Sequence, residues 1–81
     1  MQKRSVTLSG HRTSVALEPE FWAALEVAAH EAGKPLARLI AEIDEARANQ
    51  GGARGLASAL RVWLLHRALQ RCAAMEAAAT G

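Results

Sequence analysis

Residues 13–17 read Thr-Ser-Val-Ala-Leu, and this short alternation constrains the chain more than any other feature. In an extended segment Val15 and Leu17 fall on one side, and Arg12, Ser14 and Ala16 on the other, the two-residue period of a strand. A lone strand leaves its backbone donors and acceptors unsatisfied. It must pair, and two partners are available. One is Ser5-Val6-Thr7-Leu8, which repeats the alternation weakly ahead of a Ser9-Gly10 turn signal. The other is the same strand of a second chain, antiparallel across a twofold axis. From the residues alone, segment 1–11 is a basic arm that either trails freely or forms the first half of a hairpin.

Helical signals follow the strand. Glu18-Pro19-Glu20 starts a helix, since proline at the first helical position loses no hydrogen bond and carboxylates suit the positive dipole end. Phe21, Trp22, Leu25, Ala28, Ala29 and Ala32 then form a stripe of helical period, and Gly33 is placed to end it. Lys34-Pro35 opens a second helix carrying Leu36, Leu39, Ile40 and Ile43, so the core of the domain spans 12–48. Residues 49–55 are a Gly-rich loop by composition. A third helix is expected over 56–75, with 76–81 as a fraying tail. Its apolar residues form two sets, Leu56, Leu60, Trp63 and Leu64 against Ala59, Val62, Leu65, Leu69 and Cys72. A helix apolar on two sides wants partners on two sides.

The chain has 81 residues, 51% of them apolar, but nineteen are Ala and bury little surface. A core this small favours a homodimer. No apolar run reaches the length of a membrane span or forms a secretory leader, and a single Cys72 fits a reducing cytoplasm. The net charge of +2 hides segregation: +3 over residues 1–17, −4 over 18–33, zero over 34–50 and +3 over 51–81. A basic arm followed by an acidic segment can present one positive face without net repulsion.

An intermolecular pair of strands 12–17 would bury Val15 and Leu17 of both copies and expose a two-stranded ribbon of arginines and hydroxyls. Such a ribbon fits the major groove of DNA. The order of basic arm, Arg12-Thr13-Ser14-Val15-Ala16-Leu17, Glu18-Pro19-Glu20-Phe21-Trp22, Gly33-Lys34-Pro35 and Leu36-Ala37-Arg38-Leu39-Ile40 resembles the ribbon-helix-helix superfamily of DNA-binding repressors, the Arc/methionine-repressor-like fold. More narrowly, Arg4-Ser5-Val6, Gly10-His11-Arg12-Thr13-Ser14-Val15, Leu39-Ile40-Ala41-Glu42-Ile43-Asp44 and Ser58-Ala59-Leu60-Arg61-Val62-Trp63-Leu64-Leu65 resemble a small bacterial family of that fold.

The resemblance implies a mainly α domain with an intermolecular two-stranded antiparallel ribbon, to which this chain adds a third helix. It implies sequence-specific binding of double-stranded DNA by a homodimer, as a transcriptional regulator. Its readout positions fall on Arg12, Ser14 and Ala16, and its phosphate-anchoring amides on Lys34, Pro35 and Leu36. Lys3, Arg4 and His11 are expected to add phosphate contacts, as does the charge of Lys34. Ala16 departs from the polar residue often found at its position, and Pro35 removes one amide donor. The third helix has no counterpart in the minimal fold.

Other chemistries are weaker. Phe21, Trp22 and Trp63 fall on apolar helix faces and read as core rather than as stacking platforms for single strands. His11, His30, His66 and Cys72 lack ligand spacing, so no metal or cofactor is expected. No nucleophile has a base at hand, and Gly51-Gly52 lacks the Lys-Ser/Thr of a phosphate loop, so the chain is not expected to be an enzyme. Arg38, Glu42, Asp44, Glu45 and Arg47 are spaced for ion pairs along the second helix. The main alternative is an interaction module, or an antitoxin, whose third helix docks a protein partner while DNA binding is weak. A helix-turn-helix reader fits less well, given the strand pattern and the long 49–55 loop.

Overall fold

A computed structural model describes residues 1–49, 51 and 55–80, with side chains through Glu76. Two strands precede three helices: β1 (Gln2–Leu8), β2 (His11–Leu17), α1 (Pro19–Ala32), α2 (Leu36–Asn49) and α3 (Leu56–Thr80). The expected loop 49–55 falls partly outside the described residues, which omit residues 50 and 52–54.

The strands form a two-stranded antiparallel sheet in which Leu8 faces His11, Ser5 faces Ser14 and Gln2 faces Leu17. Ser9 and Gly10 close it with φ of 51° and 79°. Two successive positive φ values are what a type I′ connection needs, and its twist matches that of the flanking strands. The arm is therefore a strand, and the ribbon of a single chain is intramolecular. Of the two alternatives for the arm, it takes the hairpin one, within the mainly helical ribbon-helix-helix architecture expected. A two-residue turn brings Gln2–Leu8 alongside His11–Leu17 at small loop-closure cost, before a second chain is met.

Alternation then sorts the side chains. Val6, Leu8, Val15 and Leu17 are buried beneath the sheet with Trp22, Leu25, Ile40 and Leu60 of the three helices. The Trp22 indole Nε1 donates to the Gln2 carbonyl at 2.8 Å, tying α1 to the start of β1. Phe21 and Trp63 are partly buried against this core.

Local signals set the helix ends. Pro19 opens α1, whose first-turn amides of Phe21 and Trp22 bond the Glu18 carbonyl. Gly33 ends it in the left-handed region at φ 68°. There Gly33 N–H bonds the His30 carbonyl and Lys34 N–H the Ala29 carbonyl, the double closure of a Schellman motif. Helix α3 runs to Thr80, beyond the expected end at 75, so the expected fraying tail is helical from 76 to 80. Its last turns are rich in Ala, the strongest helix former, and no breaker stands before Gly81.

The packing is asymmetric. Helix α2 lies against β1, and α3 against β2, while α1 touches both other helices. Ion pairs fix α3 along α1. Arg61 meets Glu18 at the start of α1 at 2.8 Å, and Arg67 and Arg71 meet Glu31 near its end, Arg71 at 2.9 Å. The two helices therefore run side by side in the same direction. The spacing-based pairs of α2 form as well, Arg38–Glu42 at 3.5 Å and Arg47–Asp44 at 2.7 Å. Among the described residues no helix is long and apolar enough to cross a membrane.

Three of these carboxyls titrate below the usual range. The hydrogen bond from Arg61 lowers Glu18, and that from Lys34 lowers Glu42. Partial desolvation pushes Glu31 up, but the hydrogen bond and charge of Arg71, with the charge of Arg67, bring it below its ordinary value. A carboxyl lowered on folding contributes stability above its unfolded-state pKa, which is lost as the pH falls through the folded value. Thermal melts are accordingly expected to show stability constant from neutrality to near pH 4.5 and falling below it. Glu18→Gln with Glu31→Gln should flatten that fall. In a separate measurement, urea unfolding of Gly10→Ala should show a loss of about 1–2 kcal/mol, the cost of a Cβ in the left-handed region.

Candidate nucleic-acid interface

Because facing residues of an antiparallel pair share a side of the sheet, the register defines an outer face. Lys3, Ser5 and Thr7 of β1 lie opposite Ala16, Ser14 and Arg12 of β2. Five of these six are exposed and Ala16 is half-buried. All the large apolar residues of the hairpin are on the other side. The outer face is a cationic surface of hydroxyls and two long basic side chains.

Its charge stands out against the rest of the chain. Arg4, Lys34, Arg38, Arg47, Arg61, Arg67 and Arg71 each meet a carboxylate within 4.0 Å. Among the described residues, Lys3 and Arg12 are the Lys and Arg side chains that meet none. Both sit on the outer face of the ribbon. The acidic segment 18–33 supplies Glu18, Glu26 and Glu31 to hold Arg4, Arg61, Arg67 and Arg71. These acids belong to α1 and its N-terminal flank, not to the sheet. An anionic ligand reaching the outer face therefore meets free positive charge and no carboxylate carried by either strand.

The remaining expected contacts lie elsewhere. Arg4 projects on the core side: its guanidinium is 2.7 Å from Glu26 and stacks 4.7 Å over the Trp22 ring. Its spacing, one residue from Lys3, puts it on the opposite face. His11 shares the core-side register with Leu8, but is exposed at the hairpin tip. Lys34 is engaged by Glu42, Nζ to Oε1 2.7 Å, at the turn between α1 and α2. Of the three nominated amides, that of Lys34 closes the turn to Ala29 and Pro35 has none, which leaves Leu36.

The structure thus gathers Lys3, Arg12, Ser14 and Ala16 on one surface and separates Arg4, His11 and Lys34 from it. It adds Ser5 and Thr7, which the sequence analysis did not nominate. Their signal was present in the alternation Lys3-x-Ser5-x-Thr7, but it becomes meaningful only with the register known. With that geometry in hand, comparison with known proteins gives one positive finding: the model of the ribbon-helix-helix domain family matches residues 1–77. Neither the curated proteins nor the solved structures contain a match to the chain.

The two groups of cations should separate in stability measurements. Lys3→Ala and Arg12→Ala are expected to leave the urea midpoint within about 0.5 kcal/mol of the parent, as exposed unpaired side chains do. Arg4→Ala should lower it more, because the stacking on Trp22 is lost with the charge.

Proposed function

Since the chain belongs to the ribbon-helix-helix domain family, we propose that it is a homodimeric DNA-binding protein that regulates transcription, acting as a repressor in a bacterial cytoplasm. The outer ribbon face enters the major groove of double-stranded DNA. The observation that carries this reading is the placement on that face, among Ser5, Thr7 and Ser14, of Lys3 and Arg12, the Lys and Arg side chains that meet no carboxylate among the described residues.

The roles divide by chemistry. Arg12 offers a guanidinium fork suited to the O6 and N7 acceptors of guanine, and Ser14 can bond base edges or phosphate. Ala16 adds no polar group, and its methyl can pack against a thymine methyl. Lys3, Ser5 and Thr7 position the ribbon by phosphate contact, which carries affinity but no sequence information. His11 at the hairpin tip and the Leu36 amide are second-rank phosphate donors. Arg4 and Lys34 act indirectly, by holding the hairpin and the α1–α2 turn in place. A twofold dimer presents two such faces and calls for an operator with matching symmetry. The reading is one of binding, not catalysis.

Binding to mixed genomic fragments over a salt series provides the test. The parent protein is expected to bind with a steep negative slope of log K against log salt. Lys3→Ala should reduce that slope by about 1.8, about 0.9 for each copy in the dimer, and weaken all sequences alike. Arg12→Ala should cost about 1–3 kcal/mol at a selected preferred site and relax its sequence. Parent protein that shows no salt-dependent binding would overturn the reading.

A further inference from the structure

We propose that the groove between α1, α2 and α3 binds a small organic acid, a carboxylate carried on an aromatic body. The site goes beyond the DNA reading and does not rest on it. Its lining residues belong to the helices and the α1–α2 turn, and none is on the outer face of the ribbon.

Helical spacing makes the groove. Leu39, Ile43 and Ala46 share one face of α2, and Trp63 and Arg67 one face of α3, at steps of three and four residues. Where these faces meet the second half of α1, the side chains presented to them include Ala28 and Ala32. A methyl group does not reach across, and a space of about 410 Å³ is left between the three helices. Sites for small molecules run from roughly 300 to 1,000 Å³.

The walls suit an aromatic body. Ala28, Leu39 and Ile43 are buried, and Trp63 is partly buried against the core. A second ring can pack against this indole, offset or edge to face. The two tryptophans also differ in their polar handle. The Trp22 indole N–H is taken by the Gln2 carbonyl, whereas that of Trp63 makes no hydrogen bond among the described residues. The groove therefore has a donor still to be used.

The charges select an acid. The cations lining the groove, Lys34 and Arg67, have side chains only 29% and 24% exposed, so a bond to either is less screened than one at the open surface. Lys34 holds Glu42 at 2.7 Å, and Arg38 approaches the same carboxylate at 3.5 Å. Arg67 holds Glu31, and Arg71 meets the same oxygen, Oε2, at 2.9 Å. Four cations thus share two carboxylates around the groove. Either lining cation can turn to a ligand while its carboxylate keeps the second partner, so no protein charge is left unmatched. A ligand carboxylate supplies the missing negative charge and accepts a charge-assisted hydrogen bond. An ammonium group in its place would meet the surplus cations.

Isothermal titration calorimetry of the full chain, without DNA and at low salt, tests the site. The probe is naphthylacetate, with naphthylethanol and naphthylethylamine as neutral and cationic controls of similar shape. The acid is expected to bind the parent once per chain, about tenfold or more tightly than the alcohol, and the amine more weakly than either. Lys34→Gln and Arg67→Gln should each weaken the acid about fivefold or more. Ala46→Phe, at an exposed position, fills the groove and should abolish binding at unchanged helical circular dichroism. In heteronuclear magnetic resonance spectra the Trp63 indole N–H, identified through Trp63→Phe, should shift on adding the acid while that of Trp22 stays. Acid and alcohol binding alike, or acid binding indifferent to all three groove substitutions, overturns the proposal. So does a parent that binds no acid at millimolar concentration with the Trp63 resonance unmoved. None of these results bears on the DNA reading, which the salt series tests separately.

Discussion

The pairing of Gln2–Leu8 with His11–Leu17 is the constraint on which the other features of this molecule depend. Side chains of a strand alternate with a period of two, so a register slip of one residue would carry every apolar group to the solvent face. The Ser9-Gly10 turn prevents that slip by placing Leu8 directly against His11. Val6, Leu8, Val15 and Leu17 then share one side, where Trp22, Leu25, Ile40 and Leu60 close over them. The outer face is what remains, and its polar character follows from the same register. Core and candidate interface are two consequences of one alignment.

Charge is organised around that division. A net charge of +2 is a poor guide to the field at the ribbon, because opposite charges are concentrated in different layers. Glu18 and Glu31 bind the arginines of α3, while Glu26 holds Arg4 against the Trp22 ring. These pairs orient the third helix along α1, and each is exposed enough for solvent to screen most of its energy. Their larger effect is on the distribution of free charge. With the helical cations matched, Lys3 and Arg12 stand as unmatched positive groups on a surface whose strands bear no acid.

The third helix changes what a small domain of this kind can do. Its first half completes the core through Leu60 and Leu64. Its second half continues past the last ion pair to Glu31 and lends the molecule its long dimension of 47 Å. Leu65 and Leu69 remain exposed on the outer side of α3, because none of the described elements covers them. A helix that is apolar on two sides is the structural counterpart of a composition rich in Ala and short of large side chains.

The helices, both ends of α1 and the division of β2 into an apolar and a polar side were legible in the residues themselves, because proline, left-handed glycine and periodicity act locally. Arg12, Ser14 and Ala16 could be aligned on one face from spacing alone, as could the ion pairs of α2. The partner of β2 could not be settled that way, since the backbone can be satisfied equally by the same chain or another. Nor could the separate fates of Lys3 and Arg4, adjacent residues that strand pleating sends to opposite sides, one to solvent and the other onto Trp22 and Glu26. Such outcomes depend on which distant groups are brought within reach, and that is decided by tertiary packing.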